Sequence, residues 1–557
     1  MKKNLFTKMF EYKDRSNCNE FILPNNPNNI ILEENNINYV FNTLDRNYEF
    51  LKTKYNLLIN SDINVREFVI STKCNKFNAM LLYIDGLVNS DSINDFILKP
   101  LLLKNSITMK ENTTKPDGNS KSTLKEVKKF NLEDFIYNSL IPENTISKET
   151  KFEDLIDKVN AGFCALFVDT IATSFCIEVK GIKGRSVSEP ITETVIKGSH
   201  EGFVENLRVN TSLIRKIVNN ENLVIEDLSV GRITKTKVAL CYINNLTNDD
   251  LVAEVRYRLN NLEIDYLLSS GQLEQLIQDN PRASFPEFVS TERPDCTSSY
   301  LLNGKVAILI NGSPYAIILP AILIDFLASP EDSNLNYHYA NFLRLIRCFA
   351  MFFALFLPGL YVAITTYHQE LIPSELLFAI VNAREAIPFP ILFEILIMES
   401  SFELIQEASI RVSSSFSTTI GIIGALILGD AAVSANIVSP ILIIIVAFTG
   451  ICGFSIPNFS LKFSVRIFRF MYIILGYIAG FLGITFGAFV HFAFLCSQTS
   501  FGVPFISPYI PFTDTKSIDN LYMPPVWKRE TRSSFLNTKQ PDSEKHISMK
   551  WRKNEQQ

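Results

Sequence analysis

A chain of 557 residues is long enough for two or three domains, and its 20% charged and 47% hydrophobic residues place it between two classes. A mean hydropathy of +0.13 is too polar for a protein made only of membrane helices and too apolar for an ordinary cytosolic enzyme, and the apolar excess lies between Phe342 and Phe505. The net charge of −5 speaks against a general nucleic-acid-binding role. Nine cysteines, scattered singly with no CxxC pair, fit a reduced compartment and supply no zinc or redox motif.

Residues 1–33 are polar and Asn-rich and are expected to be disordered. The opening "MKKNLFTKMFEYKDRSNCNEF" has no apolar core long enough for a secretion signal, so the polar region that follows is expected in the cytoplasm. Residues 34–103 alternate as helix, strand, strand, helix: "REFVIS" and "FNAMLLYIDGL" are β-like, and "SINDFILKPLLL" is amphipathic. This is a first α/β lobe. Residues 104–129 have almost no apolar side chains and contain Pro-Asp-Gly, the signature of a linker. A second α/β lobe follows over 130–340, with "GFCALFVD" and "SFCIEVK" as one hairpin and "KVAILI" and "YAIILP" as a membrane-proximal hairpin around "NGSP". Within it "KTKVALCYINNLTNDDLVAEVR" aligns with "KFNAMLLYIDGLVNSDSINDFI" of the first, Tyr242-Ile243 on Tyr83-Ile84. Either the chain is internally duplicated, or two ordinary strand-turn-helix units look alike.

Residues 341–511 read as a helical membrane domain. "RCFAMFFALFLPGLYVAITT" (Arg347 to Thr366) is a span that tolerates Pro358, and Phe468 to Cys496 reads as one last span whose Gly476, Gly480, Gly483 and Gly487 allow close helix approach. Between them, Ser439-Pro440 separates helices over Ser417–Val438 and Ile441–Ile456. The stretch Ile372 to Met398 is a fifth span or an interfacial element. Its "IPFP" break, Arg384 and Glu394 favour the latter, leaving four spans and a flexible tail over 512–557 on the cytoplasmic side. Arg344 and Arg347 suit the cytoplasmic side, as do Lys462, Arg466 and Arg469, although four spans place the second group outside. The fold class is therefore an α+β soluble N-terminal region of two α/β lobes, followed by an α-helical multi-pass membrane domain.

No nucleotide-binding, hydrolase or metalloprotease signature occurs and the five histidines are dispersed, so no enzyme, cofactor or metal is expected. One residue invites a function. Between Arg411 and Lys462 only Asp430 is ionised at neutral pH. A carboxylate at mid-membrane costs about 2.5–3.5 kcal/mol on insertion scales, so it either faces water or serves as packing glue between helices. On a helix, Ile423, Leu426, Ile427, Asp430, Val433 and Ser434 share one stripe, opposite the small residues Gly421, Gly424, Ala425, Ala432 and Ala435. A symmetric ring of such helices would hold a carboxylate ring bordered by apolar constrictions. Glu394, Glu399, Glu403 and Glu407 on the preceding helix form a cation vestibule or a solvated amphipathic face. In "TERPD", Arg293 and Asp295 form a coupling lock or a structural corner.

Five stretches carry a resemblance: "SEPITETVIKGSHEGFVENLRVNTSLIR", "FPEFVSTERPDCTSSYLLNGKVAILINGSPYAIILP", "NAREAIPFPILFEILIMESSFELIQEASIRV", "IGIIGALILGDAAVSANIVSP" and "TSFGVPFISPYIPF". Together they resemble the A subunit of the GerA-type nutrient germinant receptors of bacterial endospores, over roughly Phe152 to Phe512. The family's usual Gly-Pro is here Gly198-Ser199, its Arg-Glu-Ala-Gly is Gln406-Glu407-Ala408-Ser409, its following Leu-Pro is Val412-Ser413, and its Gly-Gln-Ala-Ala is Gly429-Asp430-Ala431-Ala432. The resemblance implies a multi-pass protein of the spore inner membrane with its N-terminal region on the core side. It also implies a homo-oligomeric ring conducting monovalent cations, a transporter-like B subunit that binds the nutrient, and a lipoprotein C subunit. Within that frame the chain is a nutrient-gated channel subunit; the alternatives are an accessory channel that amplifies ion release and a non-conducting scaffold for the B subunit.

Overall fold

The computed structural model describes residues 39–71, 76–102, 132–143, 145–181, 189–411, 429–512, 521–529 and 531–543. The 1–33 segment and the 104–129 linker lie outside them. Strand β2 (Lys76–Ile84) is apolar on both faces: Ala79 and Leu81 point one way, Met80, Leu82 and Ile84 the other. Such a strand is stable only at the centre of a sheet covered by helices on both sides. It pairs antiparallel with β1 (Ile63–Ser71) and with β4 (Phe163–Val168); β5 (Ser174–Glu178) and β3 (Ile146–Glu149) complete the order β1-β2-β4-β5-β3. Helices α1 (Leu44–Lys54) and α4 (Phe152–Asn160) cover one face through Leu51, Phe152, Leu155 and Val159. Helical residues 90–102 (α2) and 132–140 (α3) cover the other through Ile97, Leu101 and Ile136.

The expected lobe boundary needs correction. Because β2 pairs with β4 across the 104–129 stretch, the first lobe does not end at residue 103 but continues to about Lys180. Hydrogen-bonded pairing of central strands, and not linker composition, sets the division.

The second lobe repeats the plan. Helix α5 (Leu207–Ile217) is followed by β6 (Leu223–Val230), β7 (Thr236–Ile243), α6 (Asp249–Asn260), α7 (Ser270–Ile277), β8 (Val289–Thr291), α8 (Pro294–Leu302), β9 (Val306–Ile310) and β10 (Ala316–Leu319), in the sheet order β6-β7-β9-β10-β8. Registers agree as well: Ala79–Val168 and Leu82–Ala165 in the first sheet match Val238–Ile310 and Cys241–Ala307 in the second. The Tyr83-Ile84 and Tyr242-Ile243 pairs thus occupy equivalent places. A buried clamp joins the lobes. Arg215 donates to Asp62 at 2.8 and 2.9 Å and to Asn60 at 3.2 Å, while Asn60 accepts from the Ile225 amide.

After α9 (Leu323–Leu327) come the apolar helices α10 (Tyr337–Tyr367), α11 (Ser374–Arg384), α12 (Ile391–Arg411), α13 (Gly429–Ser434), α14 (Pro440–Phe454) and α15 (Phe459–Ser497). Among the described residues, α10 and α15 are long and apolar enough to cross a membrane. The expected single last span is in fact a helical hairpin. At Ala479 and Gly480 the backbone leaves helical geometry, with Gly480 at φ 58°. Tyr472 Oη then meets His491 Nδ1 at 2.8 Å although the residues are 19 apart in sequence, a separation of about 28 Å along a straight helix. Ser464 on the first arm bonds the Ser284 carbonyl, and Gln498 at the end of the second donates to the Phe285 carbonyl. Both ends of the hairpin therefore meet lobe two, on the side where the basic cluster Lys462, Arg466 and Arg469 begins. The glycines do allow close approach: a Cβ on Gly359 of α10 would stand 2.7 Å from the Tyr472 carbonyl, and one on Gly476 would stand 2.5 Å from that of Gly359.

The tail is also corrected. It is not free over its described part, because Phe535 and Leu536 pack against Ile322, Ile324 and Val503, and Arg532 donates to the Leu302 carbonyl. Two apolar side chains within a polar segment are enough to dock it when a complementary patch exists.

Candidate functional site

The described part of the Asp430 helix is short. Helix α13 ends at Ser434; Asn436 takes a left-handed φ of 53° and Ser439 caps α14 by accepting from the Leu442 amide. The chain therefore turns before Val438, where the helix was expected to end. Asp430 and Ser434 are exposed and Val433 is half-buried, whereas Ile423, Leu426 and Ile427 lie outside the described residues. Among the described residues no cation pairs with Asp430.

The glutamates of α12 stand differently. Glu394 is buried, accepts from Arg384 Nη2 at 2.9 Å and Nε at 3.2 Å, and faces the Ser439 amide at 3.3 Å. Glu399 is 0% exposed and 3.3 Å from Arg469 Nη2. Glu403 takes Arg469 Nη2 at 2.5 Å and also pairs with Arg466. Glu407 is exposed. Three of the four acids are thus claimed by arginines of α11 and α15, which lowers the cost of burying them. The i, i+4 spacing showed the stripe but not the arginines that face it. Among the described residues neither oxygen of Glu399 makes a hydrogen bond, and Arg469 Nε has no hydrogen-bond partner.

The junction between lobe two and the helices is built from buried ion pairs. Arg293, fully buried, grips Asp295 with Nε at 3.1 Å and Nη2 at 2.7 Å, while its remaining donors reach the carbonyls of Glu193 and Ser199 at 3.2 and 2.9 Å. The pair named from sequence is therefore present, and it also fastens the 189–206 loop. Three neighbouring pairs were not legible in the sequence. Lys305 reaches Asp325 at 2.6 Å, and Asp332 receives Arg344 at 2.9 Å and Arg347 at 2.8 Å. The arginines read as topology flanks are thus turned inward. A cavity of about 200 Å³ lies among Asp295, Asp325, Asp332 and Arg344.

The "TSFGVPF" motif closes this region. Phe501 and Gly502, both at positive φ, form the turn between β11 (Thr499–Ser500) and β12 (Val503–Pro504), which places the Phe501 ring 4.1 Å under the Arg258 guanidinium. Ser500 donates to the Glu287 carbonyl at 2.7 Å. Burial pushes the Glu287 carboxyl up to about 7, against the Asp279 and Asn280 amides that favour its charged form. Burial also pushes the Cys296 thiol up. Among the described residues no cluster of His, Cys, Asp and Glu is arranged to hold a metal.

The family model for the Bacillus/Clostridium GerA spore germination protein matches residues 49–535. Spore germination protein KA of Bacillus subtilis (strain 168) is 36% identical over 87% of this chain and 86% of that protein. Spore germination protein GerLA of Bacillus cereus is 37% identical over 71% and 80%, and the membrane protein YfkQ of Bacillus subtilis (strain 168) is 36% identical over 85% and 87%. The crystal structure of the N-terminal domain of the A subunit of the Bacillus megaterium spore germinant receptor GerK3 aligns with a TM-score of 0.36 at 30% identity, covering 51% of this chain and 97% of that one. With a family match running through both lobes, the helices and the docked tail, this chain belongs to the GerA spore germination protein family.

Proposed function

We propose that the chain is a membrane-spanning subunit of a spore nutrient germinant receptor, and that copies of it assemble into a ring conducting monovalent cations. The observation that carries this reading is the contrast among the acids. Glu394, Glu399 and Glu403 are neutralised inside one chain, whereas Asp430 is exposed and without a described cation partner. An uncompensated carboxylate is stable in a membrane domain only where water reaches it. Ring symmetry would bring several together in the lumen, favouring cations and excluding anions. The meeting of both hairpin ends with lobe two supports placing the lobes and the docked tail on one side, the spore core. A transporter-like B subunit and a lipoprotein C subunit would complete the receptor in the spore inner membrane.

The test is single-channel or potassium-flux recording of the chain in bilayers. Asp430→Asn should keep assembly while weakening cation-over-anion selectivity and its dependence on pH; Asp430→Lys should block cations. Unchanged selectivity in Asp430→Asn, together with a cysteine at 430 that aqueous reagents do not label, would place the pore elsewhere.

A further inference from the structure

Glu394 does more than neutralise Arg384. It stands in the first turn of α12, 1% exposed, and its two oxygens serve different elements: Oε1 receives Arg384 of α11 at 2.9 and 3.2 Å, whereas Oε2 accepts from the Ser439 amide at 3.3 Å. Ser439 is the N-cap of α14, so the carboxylate also faces the N-terminal end of that 15-residue helix, where negative charge is favoured. Val438 beside it is buried and shares one apolar cluster with Tyr361 and Val362 of α10, Ile395 of α12 and Leu442 of α14. Helices α10, α11, α12 and α14 thus converge on a single turn.

That turn is joined to Asp430 without slack. The Ala435 amide donates to the Ala431 carbonyl and the Ile437 amide to that of Ala432, both at 2.9 Å, while Asn436, at φ 53°, closes the end of α13. A helix C-terminus closed in this way has its last carbonyls satisfied by the turn itself, so helix and turn move together. Ala432 and Val433 pack on the same cluster as Val438. Asp430 lies little more than one helical turn before the closure, about 7 Å along the axis, and a tilt of the turn carries its carboxylate along.

We infer that Glu394 is the positioning residue for Asp430: held by Arg384, its carboxylate fixes the turn at Val438 and Ser439, and with it the place and heading of the Asp430 carboxylate in the conducting ring. The inference rests on the ring reading above. It divides the acids of the α12 stripe by role. Glu394 acts through the turn between α13 and α14, whereas Glu399, equally buried, faces Arg469 of α15.

The full chain with Asp430→Cys is reconstituted into vesicles and modified by a charged aqueous thiol reagent, and mass spectrometry of the 430 peptide follows that cysteine apart from the nine native ones. Adding Glu394→Ala should slow the modification about tenfold, as for loss of one charge-assisted hydrogen bond at a buried site. Glu394→Gln keeps the size of the side chain, should slow it about threefold, and decides the matter where Glu394→Ala does not fold. Glu399→Ala, which also removes a buried acid from α12, should leave the rate within about twofold. An unchanged or faster rate in the Glu394 variants, or an equal slowing with Glu399→Ala, overturns the inference. Flux recording of chains that keep Asp430 gives the second readout: Glu394→Ala should weaken cation-over-anion selectivity as Asp430→Asn does, and the two changes together should do no more than either alone, because one acts through the other. Additive losses overturn the inference. A cysteine at 430 that the reagent never reaches overturns the ring reading and the inference with it; a reachable one whose rate ignores Glu394 overturns the inference alone.

Discussion

The two lobes share element order, strand order and register, yet only one is fused to the helices. In lobe one each sheet face is closed by its own helices. In lobe two the core beneath α5 and α8 continues without interruption into Ala350 and Ala354 of α10, Cys452 of α14 and Leu461 and Val465 of α15. The difference lies at a few positions outside the shared sheet. Register places Lys305 before Val306 where lobe one has Phe163 before Cys164. Phe163 packs half-buried, whereas Lys305 is fully buried and paired with Asp325 on the connection leading to α10. The two lobes thus keep one sheet plan and differ in the buried charges at the edge of lobe two that packs against the helices.

That contrast can be broken most strongly at the ion pair. Lys305→Ala removes the buried cation that faces Asp325 and should destabilise lobe two by about 3–5 kcal/mol. Hydrogen exchange should register the loss in the β9, β10 and α10 peptides and not in those of β1 and β2. Phe163→Ala, at the equivalent position, should cost about 1–2 kcal/mol, because it removes only part-buried apolar area. The double change Lys305→Met with Asp325→Asn should restore most of the stability, since it removes both charges and keeps a side-chain oxygen for the Ile322 amide. Equal exchange in both lobes for Lys305→Ala would remove the asymmetry.

The next effect is one of pH. Glu287, whose backbone holds the end of the hairpin, carries a carboxyl raised to about 7 from an ordinary 4.5. The folded state therefore keeps a proton that the unfolded chain has released. Its contribution to stability is fully present below about pH 4.5 and is lost as pH rises through 7, by up to about 3 kcal/mol. Thermal unfolding of the detergent-solubilised chain should show this slope, and Glu287→Gln should flatten it.

The contact between α10 and the hairpin comes next. Gly476→Val, whose side chain would enter the Gly359 backbone, should cost about 1–3 kcal/mol by overpacking and loosen α10 from α15 without affecting lobe one. The smallest effect is at Gly502, φ 79°. Gly502→Ala strains the turn by about 1 kcal/mol, and exchange should increase in the Thr499–Pro504 peptides before it changes elsewhere.

The sequence alone determined a good deal. The apolar runs in "FNAMLLYI" and "KVALCYI" marked two central strands, and their likeness raised a duplication that the sheets match in order and register. The glycine spacing in α15 marked close helix contact, and the ionised residues within the apolar region could be counted. These features are local: periodicity, turn chemistry and side-chain size act over a few residues. The tertiary structure decided what depends on partners far along the chain. Strand pairing across residues 104–129 set the lobe boundary, and Gly480 became a reversal because Tyr472 and His491 could meet behind it. The stripe of Glu394, Glu399 and Glu403 became a set of ion pairs once Arg384, Arg466 and Arg469 arrived from other helices. A burial or a charge pair is a property of two surfaces, and hydropathy along one strand or helix describes only the first of them.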